Sequence, residues 1–210
     1  MTEQDQVDFI KNFWKRYGNW VLTVFVLIAF AWSGYRYWEH RQDVIQDDNS
    51  TMYLSLIQSA SEGSQANISA KAHYLMQNSP NSIYAGLGAL ILASSDVASG
   101  NIATAQQDLT WVLDHQKNPD LLSMARLRLA RISLEQGEPA DAIKLLSPVP
   151  AAYAMSFNMV LGDADVMLGQ IDQAKAAYQL ALDSASKDNK NSAMKNLIEI
   201  KLANLPEASV

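Results

Sequence analysis

Apolar residues follow two different patterns along this chain. From Trp20 to Tyr35 the sequence reads WVLTVFVLIAFAWSGY and contains no charged side chain. Farther downstream, apolar positions recur every three or four residues, and breaks that contain glycine or proline separate them. The first pattern is typical of a helix that is apolar on every face, and the second is typical of amphipathic helices. The pattern therefore predicts an all-α chain in which one apolar N-terminal helix precedes a set of packed amphipathic helices.

The apolar segment over 18–38 is long enough to cross a bilayer. A helix rises about 1.5 Å per residue, so this segment would span about 30 Å, the thickness of a hydrocarbon core. Aromatic residues flank it: Trp14, Tyr17 and Trp20 on one side, and Trp32, Tyr35, Tyr37 and Trp38 on the other. Such rings prefer the headgroup zone. We therefore predict a transmembrane helix over 18–38, a tail over 1–17 and a folded domain over 39–210.

A cleaved signal peptide is the alternative interpretation of this segment. Ala29-Phe30-Ala31 has the small-x-small form of a cleavage site. The apolar run continues beyond that site and the preceding tail is long and partly acidic, which favours a retained anchor. Basic side chains are more numerous before the segment than after it: Lys11, Lys15 and Arg16 against Arg36 and Arg41. This excess predicts a cytoplasmic N-terminus and a large domain on the opposite side of the membrane.

Three downstream stretches share a pattern centred on a glycine. In each stretch a leucine lies eight residues before the glycine, a small residue lies seven before it, and an alanine lies five after it. The stretches are Leu92-Ala93…Gly100…Ala105, Leu129-Ala130…Gly137…Ala142 and Leu161-Gly162…Gly169…Ala174. The glycines are 37 and 32 residues apart, which brackets the tetratricopeptide period of about 34 residues. The sequence thus predicts a tetratricopeptide-like helical-hairpin solenoid after the single N-terminal transmembrane helix.

The physical basis of the pattern is helix pairing. The glycine would end the first helix in a left-handed conformation, and the small residues would let the second helix approach closely. A plain helical bundle is the alternative, because an aromatic residue occurs in the second helix only as Tyr178, with Leu109 and Leu146 in the other copies. The repeats predict helices over 84–99, 102–115, 121–136, 139–147, 153–168 and 171–185.

Flanking segments extend the predicted solenoid in both directions. Residues 52–60 and 66–77 are predicted to form a further, degenerate helix pair, while Pro119 and Pro148-Val149-Pro150 predict turns between repeats. Downstream, one apolar stripe predicts a terminal helix that covers the last hydrophobic face: Met194, Leu197, Ile198, Leu202 and Leu205.

Charge and composition narrow the range of possible functions. The chain carries a net charge of −6 and no cysteine. Residues 1–38 sum to +1, so the predicted domain over 39–210 carries −7. An acidic domain repels phosphate backbones, which argues against nucleic-acid binding. The lack of cysteine excludes disulfides, thiolate metal sites and cysteine nucleophiles.

Residues suited to catalysis do not form a recognisable site. His40, His73 and His115 are isolated from one another and from carboxylates at metal-ligand spacing. Asp163 and Asp165 are two apart, so on a helix they would point about 200° apart and could not share a proton. The sequence therefore predicts no enzyme, no metal and no cofactor. An enzyme with an unrecognised site stays as an alternative.

The concave surface made by the first helices of the repeats is the predicted binding surface. The repeat register places eight residues there: Leu87, Leu90, Met124, Leu127, Arg131, Met159, Asp163 and Met167. Methionine suits loose apolar binding, but each of these methionines has an alternative role in the core. The basic run Arg126, Arg128 and Arg131 is either solvated and paired with nearby acids, or it presents Arg131 to a partner.

Four short segments carry a resemblance to a known family. They are Asp5-Gln6-Val7, Tyr35-Arg36-Tyr37-Trp38, Leu127-Arg128-Leu129-Ala130-Arg131 and Met194…Lys201-Leu202-Ala203-Asn204-Leu205. In their order and spacing they resemble the YfgM family, ancillary subunits of the bacterial SecYEG translocon, over nearly the whole chain. The resemblance implies one inner-membrane helix, a cytoplasmic N-terminus and a periplasmic tetratricopeptide-like domain. It also implies association with the translocon and with PpiD, a membrane-anchored periplasmic chaperone of the peptidyl-prolyl isomerase class.

The resemblance and the residues together predict a non-enzymatic inner-membrane protein. Its periplasmic domain would recruit a PpiD-like chaperone and assist unfolded client proteins that leave the translocon. The alternative with the same architecture is a membrane-anchored signalling adaptor that sequesters a regulator through its tail or its repeat groove.

Overall fold

The computed structural model describes residues 48–186 and 192–206, together with positions 20, 23, 24, 27, 28, 30–33, 35 and 36. The chain divides into two compact units, Met1–Asp48 and Asn49–Val210.

In the first unit, every described position between 20 and 36 is helical and exposed, including Trp20, Phe30 and Trp32. No helix within the described residues has both the length and the apolar content that a membrane crossing requires. The remaining positions of the predicted span and the whole predicted tail over 1–17 lie outside the described residues. The division into 1–17, 18–38 and 39–210 therefore stays a prediction.

The second unit is built from helices, and its described residues contain no strand. The helices are α1 (49–61), α2 (Gln65–Asn78), α3 (Ile83–Ala98), α4 (Ile102–His115), α5 (Pro119–Glu135), α6 (Pro139–Leu146), α7 (Ala154–Met167), α8 (Ile171–Ser186) and α9 (Ser192–Ala203). A 3₁₀ turn, Ala151–Tyr153, leads into α7, and the Ser147–Pro148 peptide bond before it is cis. Consecutive helices pack against each other, as the predicted hairpins require.

The predicted helix ends and hairpin turns are confirmed. Gly100, Gly137 and Gly169 adopt positive φ angles of 79°, 79° and 73°, and each lies two residues after the last residue of α3, α5 or α7. Only glycine takes this left-handed conformation at low steric cost, so it ends each first helix and reverses the chain. Gly63, with φ of 68°, does the same after α1. The upstream helix pair is therefore a true hairpin of the same kind.

The prediction of a turn at Pro119 is wrong, because this proline is the first residue of α5. The side chain of Asn118 accepts hydrogen bonds from the backbone N–H groups of Asp120 at 2.9 Å and Leu121 at 3.2 Å. This cap satisfies donors that have no partner within the helix, and a proline at the first position lacks only an N–H that would be unpaired. The helix therefore begins two residues earlier than predicted.

The hydrophobic core is distributed along the chain in successive clusters. The cluster between α3 and α5 contains Leu121, Ala125 and Leu129 of α5, and the next cluster takes Leu127 and Ala130 from the same helix. Since α5 is buried on two sides, each hairpin stabilises the one that follows it. This nearest-neighbour arrangement is the one expected for a solenoid.

Helix α9 covers the end of the solenoid, as predicted. Ile198 is fully buried in the last cluster, and Met194, Leu202 and Leu205 pack against that cluster. The prediction for Leu197 is wrong, because its side chain remains 42% exposed. Leu197 and Ile198 are adjacent in a helix and point about 100° apart, and α9 is oriented so that Ile198 faces the last cluster while Leu197 lies at the edge of the buried stripe.

Candidate functional site: the concave surface of the solenoid

The first helices of the hairpins carry two open cavities. The first cavity has a volume of about 560 Å³ and lies among α1, α2, α3 and α5. Its walls are largely apolar: Tyr53, Ile68, Leu87, Leu90, Ile91 and Met124. Its polar lining comes from Gln65, Ser94, Ser95 and Arg128. A cavity of this size and character can hold several side chains of a bound polypeptide.

Among the described residues that line the first cavity, Arg128 is the only one with a charged side chain. It is half-buried, and its Nη1 group donates a hydrogen bond of 2.6 Å to the backbone oxygen of Leu90 in α3. Burial lowers the pKa of Arg128, and the neighbouring charge of Arg131 lowers it further. The bond to Leu90 fixes the guanidinium group at the junction of α3 and α5.

The second cavity, of about 470 Å³, lies at the other end of the solenoid. Residues of α5, α7, α8 and α9 line it, among them Glu135, Val166, Met167, Ile200 and Lys201. Met167 and Ile200 are 50% and 57% exposed, which leaves a small apolar patch open to a partner.

Asp163 lies in this second cavity and is held by two helices. Its Oδ1 atom accepts hydrogen bonds of 2.6 Å from the Tyr178 hydroxyl of α8 and of 2.6 Å from Lys201 Nζ of α9. Burial and the hydrogen bond to Asp163 raise the pKa of Tyr178. Lys201 also lies 5.9 Å from the centre of the Tyr178 ring. This charge-assisted cluster therefore joins α7, α8 and α9.

One face of α5 connects the two cavities. Met124, Arg128, Arg131 and Glu135 follow one another at spacings of four, three and four residues, so they lie on one side of the helix. Met124 and Arg128 line the first cavity and Glu135 lines the second, while Arg131 lies between them and is exposed. The two cavities are thus parts of one surface.

The structure places five of the eight predicted binding residues in these cavities: Leu87, Leu90 and Met124 in the first, and Asp163 and Met167 in the second. Arg131 is exposed on the connecting face of α5. Leu127 and Met159, only 9% and 7% exposed, belong to the core clusters on either side of α7. These two residues support the surface from beneath.

Arg128 and Lys201 also belong to this surface, although the repeat register does not predict them there. The basic run contained the signal for Arg128, because only that arginine lies four residues after Met124 and three before Arg131. Arg126 serves the local structure instead. It donates hydrogen bonds to the backbone oxygens of Leu145 at 2.6 Å and Pro148 at 2.9 Å.

Two buried carboxyl groups lie outside the surface. Asp96 of α3 and Asp108 of α4 are only 4% and 5% exposed. Burial, and then repulsion from Asp96, raises the pKa of Asp108 to about 6, and His73 partly opposes this shift. Gln65 Nε2 donates a hydrogen bond of 2.6 Å to Asp96. Within the described part of the chain, no three histidine or acidic side chains are grouped as metal ligands would be.

Comparisons with known proteins agree with this architecture. The family described as tetratricopeptide repeat-like domain matches residues 11–207. A protein from Neisseria gonorrhoeae named ancillary SecYEG translocon subunit is 27% identical over 207 residues, which cover 98% of each chain. Proteins of the same name from Haemophilus influenzae and Escherichia coli are 26% and 25% identical; the alignments cover 89% and 97% of this chain and 92% and 97% of the relatives.

These full-length similarities confirm the resemblance to the YfgM family that the four short segments carried. The match over 11–207 includes all of the hairpins described above. The chain therefore belongs to the tetratricopeptide repeat-like domain family.

Proposed function

We propose that this chain is a non-enzymatic ancillary subunit of the SecYEG translocon in the bacterial inner membrane. It crosses the membrane once through residues 18–38, with its N-terminus in the cytoplasm and its repeat domain in the periplasm. The repeat domain binds a membrane-anchored, PpiD-like chaperone and assists unfolded client proteins. The observation that carries this proposal is the end-to-end similarity to relatives named ancillary SecYEG translocon subunit.

The exposed side chains of the first unit support the membrane anchor. Ile28, Phe30 and Trp32 are helical and 55%, 77% and 69% exposed. Successive members of this set are about 200° apart around the helix, so large apolar groups are uncovered on opposite sides. A helix at the surface of a water-soluble domain is apolar on one side only, whereas a helix in lipid is apolar all round.

The concave surface supports partner binding. Leu87, Met124 and Met167 contribute apolar area at the two cavities, and Arg131 adds an exposed charge between them. Leu90 and Asp163 complete the linings, while Leu127 and Met159 hold the shape of the surface. Because an anchored domain stays at a high effective concentration near membrane partners, modest affinity at this surface is sufficient.

Co-purification tests the proposal. The full chain would be isolated in mild detergent from its own bacterium and the associated proteins identified by mass spectrometry. We expect the translocon subunits and a membrane-anchored periplasmic chaperone to be enriched over an unrelated single-pass protein of similar abundance. Recovery of the chain without any translocon or chaperone component would contradict the proposal.

The membrane topology of the chain and the signalling-adaptor alternative can be tested in the same bacterium. A protease-sensitive tag after Val210 should be cut in intact spheroplasts, and a tag before Met1 should be protected. Deletion of residues 2–10, which keeps the basic side chains of Lys11, Lys15 and Arg16 before the span, should leave chaperone recovery largely unchanged. A signalling adaptor that works through its tail would instead no longer sequester its regulator after this deletion.

A further inference from the structure

The first cavity contains a positive charge that no carboxylate of the described chain neutralises. Ion pairs among the described residues join Lys144 to Asp141, Lys195 to Glu199 and Lys201 to Asp163, and none of them includes Arg128. The guanidinium group of Arg128 is nevertheless half-buried. A charge that is partly removed from water without an opposite charge is unfavourable, and an incoming carboxylate would relieve this cost.

The geometry of Arg128 leaves donors free for such a carboxylate. A guanidinium group has five N–H donors, and the structure uses one of them for the backbone oxygen of Leu90. That bond orients the planar group within the cavity wall. A carboxylate is the group that a guanidinium binds best, since two parallel hydrogen bonds can form.

The residues around Arg128 indicate which groups should flank the bound carboxylate. The cavity walls next to it are apolar, with Leu87, Ile91 and Met124 among them. A free inorganic anion or a small acid would leave these walls uncovered. A polypeptide segment with apolar side chains on both sides of one acidic side chain would fill the walls and neutralise the charge.

We propose that the first cavity binds a segment of a partner polypeptide that presents an aspartate or glutamate between apolar side chains, with its carboxylate on Arg128. This inference rests on the proposed function only in that the occupant is a polypeptide. The second cavity provides the contrast, because its cation, Lys201, is already paired with Asp163 at 2.6 Å. The acidic residue of the partner is therefore directed to the first cavity.

Ser94 offers a way to occupy the proposed site from within the chain. It is exposed, lines the first cavity and lies one helical turn after Leu90, whose backbone oxygen binds Arg128. Ser94→Glu would bring a carboxylate within reach of the guanidinium group and compete with the partner. Ser94→Gln has nearly the same size and no charge, so it is the matched control.

The experiment selects peptides of about 12 residues from a random displayed library on the full chain in mild detergent. The best peptide is then synthesised with amidated ends, and its affinity is measured by fluorescence anisotropy. We expect selected peptides to combine an acidic residue with apolar neighbours. Replacing that residue by glutamine should weaken binding at least about tenfold, the effect of losing a charge-assisted hydrogen bond.

The protein variants should show the same dependence. The Ser94→Glu variant should bind the peptide at least about tenfold more weakly than the Ser94→Gln variant, because the two side chains have nearly the same size and differ in charge. Arg128→Gln should also lose binding, and its thermal unfolding would be recorded because the bond to Leu90 is lost. Lys175→Gln removes one positive charge from the exposed face of α8 and should change nothing.

Three results would overturn the inference: no peptide selected, selected peptides without acidic enrichment, or equal affinities of the Ser94→Glu and Ser94→Gln variants. A further peptide carries glutamine in place of the internal acidic residue and has a free C-terminal carboxylate. If this peptide binds more tightly than the amidated peptide with its internal acidic residue, the cavity binds chain ends, which would also contradict the inference. Because these measurements use purified protein, they can succeed even if co-purification with the translocon fails.

Discussion

The ring of Tyr178 in α8 packs directly on the backbone of Gly162 in α7. A Cβ atom added at Gly162 would lie 2.5 Å from Cδ1 and 2.9 Å from Cζ of that ring, well inside contact distance. The equivalent positions of the two preceding hairpins pair an alanine with a leucine, Ala93 with Leu109 and Ala130 with Leu146. The size of the residue in the first helix thus compensates for the size of its partner in the second.

This compensation predicts strong coupling between the two positions. Gly162→Ala should destabilise the fold, because the added methyl group overpacks against the ring and costs about 1–3 kcal/mol. The higher helix propensity of alanine offsets part of this cost. Tyr178→Leu should destabilise it by leaving a cavity. The double variant recreates the alanine–leucine pairing, so its loss in urea-unfolding free energy should be smaller than the sum of the single losses by about 1 kcal/mol or more.

Gly88→Ala is the matched control for this prediction. A Cβ at Gly88 in α3 would lie 3.4 Å from Leu56 and Leu75, which is ordinary contact. The substitution should be neutral or stabilising, by up to about 1 kcal/mol. Strictly additive effects at Gly162 and Tyr178 would show that the two residues do not compensate each other.

The buried carboxyl group of Asp108 predicts an unusual dependence of stability on pH. Its ordinary pKa is 3.8, and in the folded chain it is raised to about 6. Between these values the folded state binds more protons than the unfolded state, so the free energy of unfolding falls as pH rises. The stabilisation is fully present below about pH 4 and is lost as pH rises through about 6, and the total loss is about 3 kcal/mol.

Asp108→Asn removes this titration and should therefore be more stable than the parent chain at pH 8. The difference between the two unfolding free energies, measured in urea from pH 4 to pH 8, should widen with increasing pH. Asp114→Asn, an exposed position on the same helix, is the control and should give a nearly constant difference. A constant difference for Asp108→Asn as well would refute the assignment.

The ion pair between Lys201 and Asp163 predicts how firmly α9 is attached. Lys201→Met should reduce stability by about 1–2 kcal/mol, because a partly buried, charge-assisted hydrogen bond of 2.6 Å is lost. Amide hydrogen exchange of Ser192–Ala203 should accelerate more than that of the other helices, since this cluster joins α9 to α7.

Lys195→Met is the control on the same helix. Lys195 forms an exposed pair with Glu199 at 3.9 Å, and pairs of this kind contribute little. Equal changes in hydrogen exchange for the Lys195 and Lys201 variants would mean that the pair with Asp163 does not hold α9.

The repeat register could be predicted because its signals are local. Gly100 ends α3 through backbone sterics alone, and Ala105, five residues later, marks the close approach of α4. The hairpin at Gly63 is degenerate in sequence, because Ser55 and Leu56 replace the expected leucine and small residue. The turn itself still required glycine.

The features of the surface depend on long-range packing and were therefore harder to predict. The role of Arg128 follows from its bond to Leu90 in another hairpin, 38 positions away. The engagement of Asp163 with Lys201 depends on α9 folding back over α7, again across 38 positions. A periodic pattern states which face of a helix is apolar, but it does not state which neighbour that face meets.

Photo-crosslinking from the surface tests the central claim most directly. A photoreactive amino acid would replace Arg131 or Met167 on the concave surface, or Leu180 on the exposed face of α8, in the full chain within living cells. The account predicts crosslinks to a translocon subunit or a membrane-anchored periplasmic chaperone from Arg131 and Met167, and none from Leu180. Crosslinks to these partners from Leu180 alone would contradict it.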